Sequence, residues 1–174
     1  MNIFGKNKIL INDLWWQTES GWPICCNNIG IYKFNNITPG VAGPPLMGYD
    51  IKILRENLKD EIINSSKNNT GLICIKLSLP PGFMRTLYNN DNIFIKRYIA
   101  PNKLYYITGD IGYKESNGFI YALGRNDDMT KVSGHRLSTG KIKEVIAKIE
   151  EVNECAVVSK RDRLKEKCLL GLLY

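Results

Sequence analysis

The sequence has one histidine and no long apolar run. A membrane-spanning helix needs about 18 or more consecutive apolar residues, and no stretch of this 174-residue chain approaches that length. The first residues also lack the basic segment followed by a long apolar one that marks a secretory signal. These absences predict a protein with no membrane partner, located in the cytoplasm, with the mitochondrion and the nucleus as alternative compartments.

The five cysteines include no Cys-x-x-Cys pair. Cys25 and Cys26 are adjacent, and the other three are isolated in the sequence. Cysteines in a chain without a secretory signal are expected to stay reduced, and the spacing does not match a zinc site. The sequence therefore predicts buried free thiols and no metal cluster.

The formal net charge is +7, from 24 basic and 17 acidic residues. Basic charge alone suggests nucleic-acid binding. However, the lysines are scattered, the longest basic cluster is at residues 160–163, and no aromatic side chains are interleaved for base stacking. We expect no nucleic-acid partner and a surface that attracts small polyanions.

Short apolar segments predict strands over residues 8–14, 49–54 and 71–77. Between the first two, proline and glycine at residues 38–45 predict a fixed loop. The polar residues 64–70 predict an exposed loop before the third strand. Ligands gather at strand ends in open sheets, so the tryptophans that follow residue 14 are candidates for a site.

Three more strands are predicted at residues 104–108, 111–114 and 119–123. The last two are joined by Asn117-Gly118, a strong hairpin signal. Short strands at this spacing predict a small barrel or sandwich.

Beyond residue 127 the sequence pattern changes. Ser138 or Thr139 can cap a helix, and apolar residues follow at helical spacing at Ile142, Val145, Ile146 and Ile149. Residues 156–158 and 169–174 then predict two strands of a second, smaller α+β unit.

Three segments carry acids, bases and glycines at fixed spacing: residues 15–23 (WWQTESGWP), 106–110 (YITGD) and 124–137 (GRNDDMTKVSGHRL). Together they resemble signature motifs of the AMP-forming short-chain acyl-CoA synthetases of the adenylate-forming superfamily. Within that family the sequence is more similar to propionyl-type than to acetyl-type enzymes. The resemblance covers nearly the whole chain after about residue 9.

The resemblance implies a nucleotide site at five residues. Thr18 matches a threonine that bonds the adenylate phosphoryl oxygen, and Gln17 lies beside it in the same motif. Asp110 matches the aspartate that binds the ribose hydroxyls. Arg125 matches an arginine near the ribose, and Arg136 one that meets nucleotide phosphate.

The resemblance also implies sites for the other substrates. Glu19 matches the Mg²⁺ ligand, and Trp16 matches the residue that closes a small acyl pocket suited to acetate or propionate. Ser133 and Gly134 match positions on the coenzyme A path, and Asp127 matches the hinge of the small domain. His135 matches no catalytic base, so a structural role is expected for it. ATP, Mg²⁺ and coenzyme A are the implied cofactors and substrates, and the oligomeric state is left open.

The implied fold is α/β and α+β, in three parts. Residues 1–125 would be the end of a large AMP-binding domain, with a sheet end and a small barrel; residues 126–128 would be the hinge; and residues 129–174 would begin a truncated α+β domain. The family's phosphate loop and adenylating lysine have no counterpart in the sequence. We therefore expect a C-terminal fragment that is inactive alone.

Two alternatives stay open. The chain could be a non-catalytic remnant, or a partner-binding piece, of a split or degenerate gene. It could also resemble an adenylating enzyme that loads a carrier protein, although the double tryptophan and the Ser-Gly-His-Arg run at residues 133–136 favour coenzyme A.

Overall fold

The computed structural model describes residues 12–28, 30–31, 40–132, 135–162 and 166–174. The structure divides into two compact units, residues 1–123 and residues 124–174. Both contain small sheets with few helices, so the fold is mixed α/β. Among the described residues, no helix is long and apolar enough to span a membrane.

The first unit opens with a two-stranded antiparallel sheet. Strand β1 (Leu14–Trp16) pairs with β2 (Pro23–Cys26), and the register shifts between Trp15 and Trp16. Aromatic side chains favour strands, and both tryptophans lie inside β1 rather than after its end. The prediction of a strand ending at residue 14 is therefore wrong at that end, and residues 8–11 of the predicted strand lie outside the described residues.

The larger sheet has four strands in the order β3-β4-β5-β6: β3 (Ile51–Leu54), β4 (Gly71–Lys76), β5 (Tyr105–Lys114) and β6 (Ile120–Arg125). The β3/β4 and β4/β5 pairs are antiparallel. Five of the six residues of β4 are buried, as expected for a central strand. These strands confirm the predictions at residues 49–54, 71–77 and 119–123 to within a few residues. Closure into a small barrel stays a prediction.

Strand β5 corrects one prediction. Residues 104–108 and 111–114 were expected to be two strands, because Gly109 interrupts the pattern. The structure joins them into one strand that contains an irregularity: Leu72 pairs with Ile111, whereas Cys74 pairs with Ile107. Three residues of β5, numbers 108–110, therefore lie opposite Ile73 of β4, and the strand continues through a bulge.

Helix α1 (Asp91–Tyr98) is a feature that the sequence analysis did not predict. Asp91 lies in its first turn, and Lys96 and Arg97 lie in its last, an arrangement that suits the helix dipole. The helix stops before Pro101, whose ring disfavours helical geometry in the preceding residue. None of its residues is buried, which explains its weak apolar pattern.

The hydrophobic core of the first unit lies against β3, β4 and β5. Phe83 meets Tyr106 edge-on, with ring centroids 4.7 Å apart. Burial of a large apolar side chain contributes roughly 1.5–3 kcal/mol, so this cluster is the main stabilising element of the unit. Its buried members are Ile24, Cys25, Ile51, Ile53, Ile62, Ile73, Ile75, Phe83, Tyr106 and Ile120.

The second unit has two hairpins and a helix. Strand β7 (Met129–Val132) pairs antiparallel with β8 (His135–Ser138), and β9 (Cys155–Asp162) pairs antiparallel with β10 (Glu166–Leu173). Helix α2 (Thr139–Ile146) lies between them in sequence. The predicted helix and both predicted strands are confirmed. Ile149, placed on the helix by its spacing, falls in the turns beyond the helix end.

The described cysteines are free thiols, as expected. Cys25 and Cys74 are fully buried and Cys26 is half-buried. Burial raises the pKa of Cys74 to about 12 and, with the neighbouring Cys26 thiol, raises the pKa of Cys25 further. Because these folded-state pKa values exceed those of the unfolded chain, the proton-linked stability is fully present below pH ~9 and is lost as the pH rises above it.

Alkylation with iodoacetamide at pH 8 is expected to modify Cys26 before Cys25 and Cys74. The pKa of Cys26 is also raised by burial, but its side chain is only half-buried. Cys74 is fully buried and its pKa is raised to about 12, so its thiolate is both scarcer and less accessible. Peptide mass mapping over time measures the order. Equal alkylation rates of Cys26 and Cys74 in the folded protein would contradict the described burial.

Candidate functional site

A bulge in β5 presents the carboxylate of Asp110. Gly109 has φ 79°, a left-handed conformation that glycine adopts without steric cost. The hydroxyl of Thr108 donates to the carbonyl of Ile73 at 2.7 Å and accepts from the backbone N–H of Asp110 at 3.1 Å. The side chain of Thr108 therefore replaces strand hydrogen bonds that the bulge interrupts and fixes the bulge in one shape.

Two side chains of the tryptophan segment (residues 15–23) donate hydrogen bonds to Asp110. The indole Nε1–H of Trp15 donates to Asp110 Oδ2 at 3.2 Å, and the side-chain amide of Gln17 donates to the same oxygen at 2.9 Å. The Gln17 amide also donates to the carbonyl of Thr108 at 2.8 Å. Asp110 is only 7% exposed, so these bonds offset the cost of burying a carboxylate. They join two sequence motifs that lie more than 90 residues apart.

The residues after Gln17 form a single 3₁₀ turn, Thr18–Ser20. The buried hydroxyl of Ser20 lies 2.6 Å from the carbonyl oxygen of Gln17 and accepts from the Gln17 backbone N–H at 3.1 Å. Gly21 ends the turn in the left-handed conformation, with φ 62°. Thr18 is exposed and Glu19 is half-buried, so a rigid turn carries both side chains directly beside the residue that bonds Asp110.

Helix α1 and the loop before it brace Glu19. The hydroxyl of Tyr98 donates to Glu19 Oε1 at 3.1 Å, and the backbone N–H of Met84 donates to the Glu19 carbonyl at 2.7 Å. The Tyr98 ring stacks on Tyr106 of β5 at 5.7 Å and on Phe94 at 5.6 Å. The carboxylate of Glu19 is thus tied to the core through an aromatic stack.

A cavity of about 850 Å³ lies beside this brace. It is lined by Phe83, Met84 and Arg85 of the loop, by Phe94 and Ile99, and by Leu77 and residues 79–82. Arg85 is the charged residue in a lining of otherwise apolar residue types.

Trp16 and Trp22 are exposed, at 55% and 68%. Trp15, by contrast, is half-buried and packs against the core cluster. The hydrogen bond from Trp15 to Asp110 was not anticipated from the sequence. The predicted pocket role of Trp16 stays a prediction.

In the second unit, the guanidinium Nε of Arg125 lies 3.2 Å from Asp127 Oδ1. Both side chains are well exposed, so the pair contributes little to stability. The carbonyl of Asp128 accepts from the backbone N–H and the hydroxyl of Thr139, at 3.4 and 3.2 Å, which anchors the start of α2. The hinge role of Asp127 stays a prediction.

Three predicted site residues cannot be placed through their side chains. Ser133 and Gly134 lie outside the described residues, and Arg136 is described only by its backbone, which pairs with Lys131 in the β7/β8 hairpin. Their predicted contacts with coenzyme A and phosphate stay predictions.

Within the described residues, no group of three or more His, Cys, Asp or Glu side chains could hold a metal ion by itself. Glu19 nevertheless suits Mg²⁺, which often binds one or two carboxylates and completes its shell with water and substrate phosphates. Its placement on an accessible turn is compatible with an ion that arrives with a nucleotide.

Comparison with known proteins finds relatives that match most of the chain. An uncharacterised protein of Pseudomonas aeruginosa is 41% identical over 163 residues, 94% of this chain and 25% of that protein. Acyl-CoA synthetase short-chain family member 3, mitochondrial, of Rattus norvegicus is 38% identical over 165 residues, 95% and 24% of the two chains. Acetyl-coenzyme A synthetase 1 of Candida glabrata is 41% identical over 160 residues, 92% and 22%. The chain is homologous to one segment of the short-chain acyl-CoA synthetases.

The chain spans about a quarter of the length of the curated relatives it matches. No protein-family model matches it. Among solved structures, o-succinylbenzoate CoA synthetase from Bacillus subtilis with its acyl-adenylate intermediate has a TM-score of 0.71 at 24% identity, over 93% of this chain and 31% of that one. ATP-bound MatB from Rhodopseudomonas palustris has a TM-score of 0.71 at 20% identity, over 94% and 30%. These likenesses show that the chain has the fold of part of those structures.

Proposed function

We propose that the chain carries part of the adenylate site of an AMP-forming ligase that joins acetate or propionate to coenzyme A. The observation that carries this proposal is the buried carboxylate of Asp110, held by Trp15 and Gln17. It occurs in a chain 37–41% identical to short-chain synthetases along most of its length. Asp110 would accept hydrogen bonds from the vicinal ribose hydroxyls, since a carboxylate offers two acceptor oxygens.

The reaction has two steps. A carboxylate oxygen of the acid attacks the α-phosphorus of ATP, and pyrophosphate leaves. The thiolate of coenzyme A then attacks the acyl carbon of the adenylate, and AMP leaves. The first step brings two anions together, so a hydroxyl that can donate to the phosphoryl oxygen stabilises it. Thr18, exposed on the 3₁₀ turn, is the residue proposed for this task.

Glu19 is the proposed ligand of Mg²⁺, with Tyr98 bracing its carboxylate. When bound, the ion would neutralise charge on the transferring phosphate. Arg125 and Arg136 are proposed to contact the nucleotide, Asp127 to act as the hinge between the two steps, and Ser133 and Gly134 to border the coenzyme A path. A location in the cytoplasm is part of the same proposal; the name of the rat relative places that protein in the mitochondrion.

Trp16 is proposed to limit the length of the acyl group. In an enzyme that contains this segment, Trp16→Gly is expected to raise kcat/KM for hexanoate relative to butyrate by about tenfold, because two further methylenes could be buried at roughly 0.8 kcal/mol each. Trp22→Gly is the control, since Trp22 is also exposed and has no proposed pocket role. Equal chain-length profiles for the two variants would remove Trp16 from the acyl pocket.

The isolated chain is proposed to bind nucleotide without completing the reaction. The sequence contains no Ser/Thr/Gly-rich phosphate loop ending in lysine, and such groups usually supply much of the rate. The 174-residue chain should therefore bind AMP, measured by calorimetry, and form no acyl-CoA from acetate, ATP and coenzyme A. Absence of AMP binding at millimolar concentration would favour the alternative of a non-catalytic remnant.

A further inference from the structure

The orientation of the Asp110 carboxylate depends on the groups that contact it. The terminal torsion of an aspartate side chain is broad and only weakly preferred by itself. Asp110 also sits on a bulge, where the regular alternation of strand side chains is interrupted. Neither the rotamer preference nor the strand geometry therefore fixes the plane of this carboxylate.

The two donors from the tryptophan segment supply that constraint. Trp15 Nε1 and Gln17 Nε2 both donate to Oδ2, at 3.2 and 2.9 Å, and so constrain the direction in which Oδ1 points. They differ in what else they bond. Gln17 also bonds the carbonyl of Thr108, whereas an indole has a single N–H to donate, and in Trp15 it is directed to Asp110.

We propose that Trp15 is a positioning residue for ribose recognition: its indole N–H holds the Asp110 carboxylate in the plane that receives the ribose hydroxyls. This inference rests on the proposed function, which makes Asp110 the ribose ligand. It gives Trp15 a role that packing against the core does not require, since a phenyl ring would also supply apolar contact.

The direct test measures, by calorimetry, the affinity of the 174-residue chain for AMP, 2′-deoxy-AMP and 3′-deoxy-AMP. Loss of one charge-assisted hydrogen bond is expected to weaken binding of a deoxy analogue to the wild type by about tenfold. Trp15→Phe keeps most of the ring packing and removes the N–H. It should reduce that preference to about threefold or less, and it should weaken binding of the deoxy analogues less than binding of AMP, because each analogue keeps only one of the two hydroxyls that Asp110 accepts.

The control variants separate the inference from the proposed function. Trp22→Phe, at an exposed tryptophan, should keep the full preference, and Asp110→Asn should lose it. If Asp110→Asn loses the preference and Trp15→Phe retains it, the positioning role is wrong and the proposed function stands. If the wild type binds all three nucleotides equally and Asp110→Asn changes nothing, the proposed function itself is wrong.

A spectroscopic measurement covers the case in which Trp15→Phe does not fold. The chain has three tryptophans, whose indole N–H groups give separate resonances that Trp16→Phe and Trp22→Phe assign by elimination. Asp110→Asn is expected to shift the Trp15 resonance upfield, because the acceptor loses its charge, whereas Asp50→Asn should leave it in place. An unchanged Trp15 resonance in Asp110→Asn would overturn the inference.

Discussion

Asp110→Asn is expected to weaken AMP binding to the chain by about 10- to 100-fold, since hydrogen bonds to a charged group each contribute about 1.5–3 kcal/mol. The variant retains the size of the side chain but loses the negative charge and one acceptor oxygen. The Trp15 and Gln17 donors then face a neutral amide, and a rotated amide would direct its NH₂ group toward them. Both effects act on the same site, so the loss should exceed that of a single neutral hydrogen bond.

Calorimetric titration with AMP, at fixed salt, measures this effect. Asp50→Asn is the matched control, because it removes the same charge from the same unit at a half-exposed position (51% exposed side chain). The thermal midpoints of both variants show whether either has unfolded. AMP affinity within twofold of the wild type in folded Asp110→Asn would remove Asp110 from the nucleotide site.

Gly112→Ala is expected to produce the largest loss of stability among single-methyl additions in the sheet. Gly112 pairs with Gly71 across β4 and β5, and a Cβ at Gly112 would lie 2.1 Å from the carbonyl oxygen of Tyr121 and 2.8 Å from Ile73 Cδ1. The first of these atoms belongs to the backbone of β6, which cannot rotate away. The neighbouring strands must separate locally, at a cost of about 3 kcal/mol or more.

Urea denaturation followed by circular dichroism measures the change in the free energy of unfolding. Gly30→Ala is the control: a Cβ there meets no atom within 4 Å, so its effect should stay within about 0.5 kcal/mol. Equal stability of the two variants would mean that β5 and β6 do not approach as closely as described.

The strands that carry the core could be predicted because their apolar residues are contiguous in the sequence. Residues 71–77 predict β4 through an apolar run, and Asn117-Gly118 predicts the turn between β5 and β6; Gly118 adopts φ 86° there, as such turns require. The helix beginning at Thr139 was predicted from its spacing of apolar residues, although Val145, one of those residues, is 65% exposed.

Neither the bulge in β5 nor helix α1 could be predicted, and the physical reason is different for each. Gly109 signals a strand end and a bulge equally well, and only pairing with β4 distinguishes them. Helix α1 buries no residue fully, so it has little apolar periodicity. Its Tyr98 acts through a contact with Glu19, 79 residues earlier in the chain.

The candidate site also has features that the sequence predicts and features that it does not. The motif resemblance identifies Gln17, Glu19 and Asp110 as neighbours in function, and the structure connects the first and last of these directly. The role of Trp15 as a partner of Asp110 could not be derived from its sequence position. Adjacent strand residues face opposite sides, and the sequence does not show which of the two tryptophans faces Asp110. Register and bulge geometry decide which indole reaches the carboxylate.

The most direct test of the central claim is the activity of the natural protein that contains these residues. It would be purified from its source cell with an antibody against this chain and identified by tryptic peptides. With acetate or propionate, ATP and coenzyme A, we expect it to form acyl-CoA and AMP in equal amounts. A natural protein that carries these residues, yet neither binds AMP nor forms acyl-CoA from either acid, would contradict the account.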